Sequence, residues 1–531
     1  MKEKVMRRIR AIVGLSLFAG ACAANALGCF LTLDLEHEDC ALYSHAGCGT
    51  GGSSSSSSGT GGTGGGTPAG CVPSESAQPV GDDCGVFASS TLGADGNAGT
   101  KSAPMKTLAQ AIDKANGRAV YACAEVFAGS VTLASGSAIY GGLECSKDWG
   151  YVGATTKSVL MGDADAPALM LTSAAKDAEV VDFTIQAASA TMQGGSSIAV
   201  LADGATASLM RCDLVAGDGA TGADGNDAPS TPAQAGSSGN AGGNACSADT
   251  VNGAALVKNA CEMDNSIGGK GGDGNDVVGG TGQPGLPAGG GGKAGQGDDG
   301  SMGWSCAITG AGQGGVPGAP GMEGAGASMS AQGTLISTGF TGAAGGDGEP
   351  GKIGQGGGGG GGAKGGMIEC GGKPGIGGAS GGSGGAGGCG GAGGKGGKGG
   401  GASIALVSLK ASLTLTAVTL NTGNGGAGGK GGALQKGGAG GNAGSGGSDS
   451  GIAGLKAGCD GGKGGPGGDG GPGGGGRGGH AIGLAYTGTA PAINMKQITV
   501  GSAGQGGPGG SNNFKMNQGA DGMAAPVQEF P

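Results

Sequence analysis

A chain of 531 residues with 142 glycines and only 3% aromatic residues has too little side-chain bulk for several compact cores, so its architecture must be extended or repetitive. A formal charge of −10, thinly spread lysines and a single arginine seated between glycines, Arg477, exclude a phosphate-tracking nucleic-acid groove. No C-x-x-C occurs, and the only histidines are His37, His45 and His480, which argues against zinc ribbons, thioredoxin-type redox motifs and histidine metal clusters.

Over residues 1–22, Lys2, Lys4, Arg7, Arg8 and Arg10 precede the apolar run AIVGLSLFAGA, which ends at Cys22. This pattern is an export signal whose apolar run is too short to span a bilayer. FAGAC resembles the lipobox of bacterial lipoproteins, and the resemblance implies that Cys22 receives lipid, becomes the mature N-terminus and anchors the chain to a membrane, the outer membrane or cell surface being the expected address. Ala19 stands where that family usually carries leucine, and Ala19-Gly20-Ala21 equally fits an ordinary signal peptidase, so plain secretion is the alternative; ALGC, ending at Cys29, is a second lipobox-like site. Removing Cys22 from the 15 cysteines leaves an even number, which suits disulfides in an oxidising compartment. A cysteine-bearing segment over 23–48 leads into a Gly/Ser/Thr tether over 49–70, whose 22 residues give a reach of roughly 26 Å.

The first folded region spans 71–222. GADGNAGTKSAPMKTLAQAI, Gly93 to Ile112, runs from turn residues through Pro104 into Leu108, Ala111, Ile112 and Ala115 at helical spacing. It resembles the opening of right-handed parallel β-helix proteins of the pectin-lyase-like class, D-x-N-x-G-T…P…T-L-x-x-A-I, which implies a turn and a helix capping the end of a solenoid. Short apolar strands follow, SVTLASGSAIYGGL, SVLMG, PALMLTS and AEVVDFTIQA, each too small to bury its own face. Cys123 and Cys145 flank the first of them and form a candidate disulfide.

An internal repeat carries the organisation further. The segment beginning at Ser196 aligns without gaps to those beginning at Ala402 and His480: Ile198, Ile404 and Ile482 correspond, as do Leu209, Leu415 and Ile493, then Leu214, Leu420 and Ile498. A glycine-rich run follows each copy. The expected plan is therefore glycine-rich insertions with interspersed rungs over 223–400, a rung over 401–428, an insertion over 429–479, a rung over 480–506 and a tail over 507–531. GTLISTGFTG from Gly333 reads as a fourth, shorter copy.

Within the insertions the non-glycine residues keep step three, as at Asn424, Ala427, Lys430, Ala433, Lys436, Ala439, Asn442, Ser445 and Ser448. A polyproline II-type helix has three residues per turn, so such spacing places side chains on one face and leaves bare backbone to pair with neighbouring helices. Collagen is excluded by 19 prolines and the lack of a continuous Gly-X-Y frame. A disordered linker is the competing reading, because ordering glycine is entropically costly. Cys389 lies in phase in one run and Cys459 just before another, making them a candidate cross-link.

Chemistry is sparse. GGDGNDVVG, Gly271 to Gly279, fits the calcium nonapeptide of RTX-type β-rolls, with Asp273 and Asp276 as calcium ligands. With 142 glycines, G-x-S-x-G around Ser383 and G-x-G-x-x-G matches arise from composition alone. Pectin-lyase-like resemblance raises a polysaccharide lyase or hydrolase using Asp182, Arg211 and Asp213; yet Ala417 and Thr419, then Met495 and Gln497, occupy the positions equivalent to Arg211 and Asp213, and both residues also read as solvent-facing neighbours of an inward Cys212. The expected fold is all-β, a right-handed parallel β-helix with a capping helix and polyglycine II-like insertions. The glycine-rich part is similar to the PGRS portion of mycobacterial PE-PGRS proteins and to glycine-rich lipoproteins of myxobacteria, without a PE-type N-terminus. The expected function is non-catalytic: an exported surface protein presenting a glycine-rich face to a cell-envelope or matrix partner. A pectate-lyase-like enzyme, a calcium-binding RTX-like surface protein and an ice-binding bundle are the alternatives.

Overall fold

The computed structural model describes residues 70–262, 264–511 and 517–531. The signal, Cys22, the segment 23–48 and all but the last residue of the tether lie outside the described residues.

The chain is mostly strand, and nearly every pairing is parallel. The strands form three ladders. The first stacks Gly85–Ala88, Ala119–Cys123, Ala138–Glu144, Ala178–Val181, Thr206–Met210 and the first half of Ser412–Asn421. The second stacks Val126–Ala128, Ser158–Met161, Phe183–Gln186, Asp213–Val215 and the second half of Ser412–Asn421. Ala492–Thr499 extends both. The third runs Val131–Leu133, Leu169–Leu171, Ser197–Asp203, Ser403–Leu409, Ala481–Thr487 and Ala524–Glu529. Asp182, Arg211 and Ala417, all with left-handed φ, turn the chain at corresponding points between the first and second ladders.

The repeat seen in the sequence is the strand register itself. Ile198 pairs with Ile404 and Ile404 with Ile482; Leu209, Leu415 and Ile493 follow one another, as do Leu214, Leu420 and Ile498. Stacked in this way, Val200, Leu209, Leu214, Leu406, Leu415, Leu420 and Leu484 share one buried cluster. Each such side chain contributes about 1.5–3 kcal/mol by leaving water. The middle strands of the third ladder are buried on both faces, because Ile198, Leu201, Ile404, Val407 and Ile482 pack outward against Phe340 and Phe530. That explains the unbroken apolar run Ile404 to Val407 within the fully buried strand Ser403–Leu409.

Helix α1, Leu108–Ala115, is capped by Thr107, whose hydroxyl accepts the Gln110 N–H, and ends at left-handed Asn116. Leu108 and Ile112 face Val131, Ile139, Leu160, Leu169, Val180 and Phe183 at the N-terminal end of the stack. Asp95 and Asn97 of the preceding turn bond to the backbone at Lys106, Thr107 and Pro104, fixing the approach to the helix.

Three expectations are corrected. Thr334–Ile336 and Gly339–Thr341 form an antiparallel hairpin that lays Phe340 over the third ladder, so GTLISTGFTG is a cover and not a rung. Among the described residues 223–400 contains no rung; its other strands are the antiparallel pair Val257–Ala260 and Asn265–Gly268. Residues 507–531 are not a tail, since Ala524–Glu529 is the last strand of the third ladder. The reason is common to all three: short apolar runs do not themselves say whether they stack or cover.

Candidate functional site

Every long glycine-rich insertion leaves after a strand of the second ladder and returns to a strand of the third. Arms 219–245 and 424–448 run out in parallel, Gly222 N–H bonding to Ala427 C=O and Gly225 to Lys430, both within 2.8 Å, and so on at every third residue of the second arm to Ser448, with a single longer step on the first arm between donors Ala228 and Ala233. Arm 377–401 returns between them and three other segments. Ser383, Gly384 and Gly385 donate in turn to Asn240, Gly269 and Gly462, three different neighbours at 2.9–3.0 Å. One direction per residue and the same direction every third residue is what a three-residue turn requires, and it satisfies main-chain donors that would otherwise be buried without partners. The contacts leave no room for Cβ: one added at Gly384 would lie 1.9 Å from the Gly357 oxygen, and at Gly360, 2.0 Å from that of Cys459.

The side chains at step three divide by position. Along the outer arm 424–448, Asn424, Lys430, Lys436, Ala439, Asn442 and Ser445 are exposed while the intervening glycines are mostly buried. In the enclosed arm, by contrast, Ser380, Ser383, Ala386 and Cys389 are buried, and both serine hydroxyls accept backbone N–H groups, of Gly243 and Asn240. Part of this row packs beneath the hairpin 257–268, where Asn259 bonds to Gly387 C=O and Ser266 accepts the Gly387 N–H.

Aspartates have a role that sequence reasoning missed. Carboxylates of Asp218, Asp224 and Asp227 accept the N–H of Asn424, Lys430 and Ala433 on the neighbouring arm. Asp347 accepts from Gly396 N–H and Lys395, and Asp469 from Gly437 N–H and Lys436. The Gly396 N–H and then Lys395 hold the Asp347 carboxyl below its usual range; Lys436 and then the Gly437 N–H do so for Asp469. The signal was Asp218, Asp224 and Asp227 spaced by multiples of three, opposite donors that only the folded bundle supplies.

The candidate site residues fall as follows. Cys123 is bridged to Cys145. Cys389 and Cys459 are both disulfide-bonded but not to each other: Cys389 joins Cys261 on the covering hairpin, and Cys459 joins Cys306. Cys246–Cys370 and Cys71–Cys84 complete the pairs among the described residues. Cys212 is free and buried, and desolvation pushes its thiol up to about 12. Ten cysteines in bridges and one free leave Cys22, Cys29, Cys40 and Cys48, itself an even number, so parity no longer favours lipidation at Cys22.

Asp182 receives both Arg211 Nε and Nη2 at 2.7 Å and the Tyr151 hydroxyl at 2.9 Å. Asp213 is paired with Lys157 at 2.6 Å and with Thr419; burial raises its carboxyl, but these partners outweigh it and leave it below the usual range. Both carboxylates are thus engaged by cations of the chain itself. Asp273 likewise bonds to Lys270 at 2.9 Å and to the Gly253 N–H, while Asp276 is exposed. Among the described residues no cluster of three or more His, Cys, Asp or Glu side chains is placed to hold a metal ion.

The far ends of the arms gather elsewhere. Loops 246–252, 274–279, 299–309, 364–376 and 449–457 lie together, held by Cys246–Cys370, by Gly365 N–H to Asn275 C=O, by Gly377 N–H to Ala248 C=O and by Lys456, which bonds to Ser301 C=O and lies over Trp304. Beneath them Ala245, Trp304, Ala363, Ala379 and the cysteines form a small apolar cluster with Ile452 and Leu455. Above it Met302 and Ile368 are exposed at 104% and 93%, with Met367, Ile308, Val277 and Val278 beside them in the same loops.

Comparison with protein-family models, with curated proteins and with solved structures finds no match for this chain.

Proposed function

We propose that the chain is an exported, lipid-anchored cell-surface protein of structural and adhesive role. In this reading the three ladders are the walls of a right-handed parallel β-helix of the pectin-lyase-like type, capped by helix α1. The arms are polyglycine II-type helices, similar to the glycine-rich part of PE-PGRS proteins and of myxobacterial lipoproteins. At about 3.1 Å per residue, arm 219–245 carries its tip roughly 80 Å from the ladders. Five disulfides among the described residues suit an oxidising location outside the cytoplasm.

The observation that carries the adhesive reading is the tip. Loops at the end of a rigid, cross-linked bundle place Met302, Ile308, Met367 and Ile368 in water, where apolar side chains gain most from a partner. Such a surface contacts a cell-envelope or matrix component without needing a pocket. The test is adhesion of cells displaying the full chain against cells displaying the combined variant Met302→Ser, Ile308→Ser, Met367→Ser and Ile368→Ser. The expected result is a several-fold loss of adhesion at unchanged surface abundance and unchanged melting temperature. Equal adhesion would overturn the proposal.

A further inference from the structure

Arm 377–401 is bonded to a different pair of neighbours by each of its three residue phases. The N–H groups of Cys389, Lys395 and Lys398 go to arm 219–245, and their C=O groups accept from arm 424–448. Gly388, Gly391 and Gly394 donate to arm 458–479 and accept from segment 345–360. The third phase faces the hairpin 257–268 and its flanks. Gly381, Gly384 and Gly387 donate to Gly272 C=O, Gly269 C=O and the Ser266 hydroxyl, while the carbonyls of Gly381 and Gly387 accept from Ala254 N–H and the Asn259 amide. The first four neighbours continue to the base of the arm. The two hairpin legs stop at the turn that Cys261 N–H closes on Asp264 C=O, pinned there by Cys261–Cys389.

Beyond that turn no described segment continues either leg, and a groove opens between arm 219–245 and segment 345–360. Burial records the change: residues 377–389 are all buried, whereas Gly390, Ala392 and Gly393 are half-buried and Lys395 and Lys398 exposed. Among the described residues neither the N–H nor the C=O of Gly390 or Gly393 has a hydrogen-bond partner. Ala392, one turn on from Cys389 and in the same phase, faces the groove as Cys389 faces the hairpin. At the inner end the Asp347 carboxylate takes the Gly396 N–H at 2.8 Å and Lys395 at 2.9 Å, and Lys398 forms no ion pair among the described residues.

We infer that this groove binds an extended peptide of a partner chain in the polyproline II conformation, with glycine at every third residue, proline next to it and acidic side chains. Such a peptide continues the path of leg 265–272 and presents carbonyls to the Gly390 and Gly393 N–H groups as Gly272 and Gly269 do to Gly381 and Gly384. The bundle itself sets the composition. Along its outer segment 312–324 glycine is kept at every third residue, from Gly312 to Gly324, and Val316, Pro317, Ala319 and Pro320 between them are exposed. Proline orders the peptide before it binds, which lowers the entropy lost on docking, and Lys398 offers an unpaired charge to an acid.

The site stands independently of the adhesive tip. Its test is fluorescence anisotropy of a labelled peptide of repeated Gly-Glu-Pro triplets, the triplet found at Gly348–Pro350, titrated with the full oxidised chain. The expected result is saturable binding that is several-fold weaker for a peptide of the same composition in scrambled order. Ala392→Phe, which fills the groove from a half-buried position, should weaken binding several-fold at unchanged melting temperature. Lys398→Gln, at an exposed position, should weaken it and reduce its salt dependence, and serves where Ala392→Phe does not fold. No saturable binding to the unaltered chain, equal binding of the scrambled peptide, or binding unchanged in either folded variant would overturn the inference.

Discussion

At the scale of single residues, glycine here is a packing requirement. Gly384 lies in arm 377–401 and Gly290 in a bend outside the arms: a Cβ at Gly384 meets the Gly357 oxygen at 1.9 Å, whereas at Gly290 nothing lies within 4 Å. Gly384→Ala should therefore destabilise by about 1–3 kcal/mol or more through overpacking. Gly290→Ala should fall within about 1 kcal/mol of neutral, on the stabilising side, because alanine restricts the unfolded chain. Denaturant unfolding of the two variants tests this, and equal effects would refute the close-packed bundle. His480 is a second residue with a measurable consequence. Its Nδ1 accepts the Met523 N–H at 2.9 Å and its Nε2–H donates to Gln332, so the ring is neutral; burial, with nearby Arg477, holds it below the usual 6.5 despite that hydrogen bond. Below about 6.5 the unfolded chain takes up a proton that the folded chain refuses, so stability must decline as pH falls through that value towards the lower folded one. His480→Gln should flatten that slope. The only other histidines are His37 and His45, which makes the assignment clean.

At the scale of elements, the arms and the ladders are held by different forces. A ladder strand such as Ser403–Leu409 buries its entire length, and its neighbours bury theirs against it. An arm buries only small side chains, such as Ser380, Ser383 and Ala386, and relies on one main-chain bond per neighbour every third residue, each worth only about 1 kcal/mol net, against a backbone entropy loss of about 1–2 kcal/mol per residue. The cross-links matter most here. Cys246–Cys370, Cys261–Cys389 and Cys306–Cys459 close separations of 124, 128 and 153 residues. In the chain-entropy account a loop of that size contributes between about 4 and 5 kcal/mol, though overlapping loops do not simply add. Reduction should accordingly release the arms first. Hydrogen exchange in the presence of a thiol should accelerate over 219–245 and 458–479 while 197–203 and 403–409 remain protected. Simultaneous loss of protection in both regions would show that the bundle and the ladders are one cooperative unit.

At the scale of the whole described chain, one topological choice organises everything else. Insertions placed between the second and third ladders emerge on one side, their base is set by the strand register, and the far ends of the first two meet as a cluster of loops. The offset of 206 residues that pairs Ile198 with Ile404 is the same offset that brings Asp224 to the Lys430 N–H. Register is thus handed from the apolar stack to the base of the glycine bundle, where the Asp218, Asp224 and Asp227 carboxylates keep the same offset. The adhesion test on the tip belongs to this scale, because no single arm presents that surface.

The sequence by itself determined what is periodic. Aliphatic residues at matching positions predicted which strands stack, the Thr107-to-Ala115 pattern predicted the helix, and step-three spacing predicted the turn of the arms, because each depends on geometry that repeats along the chain. Only the tertiary structure decided partners. Cys389 meets Cys261 and not Cys459 because the hairpin 257–268 folds back over arm 377–401, a reversal with no periodic signal. For the same reason the spacing did not reveal that Ser380, Ser383 and Ala386 are buried while Asn424 and Lys430 are exposed, or that GTLISTGFTG is a cover. Spacing fixes the face a side chain points from, whereas what lies opposite that face depends on where a distant segment of the chain returns.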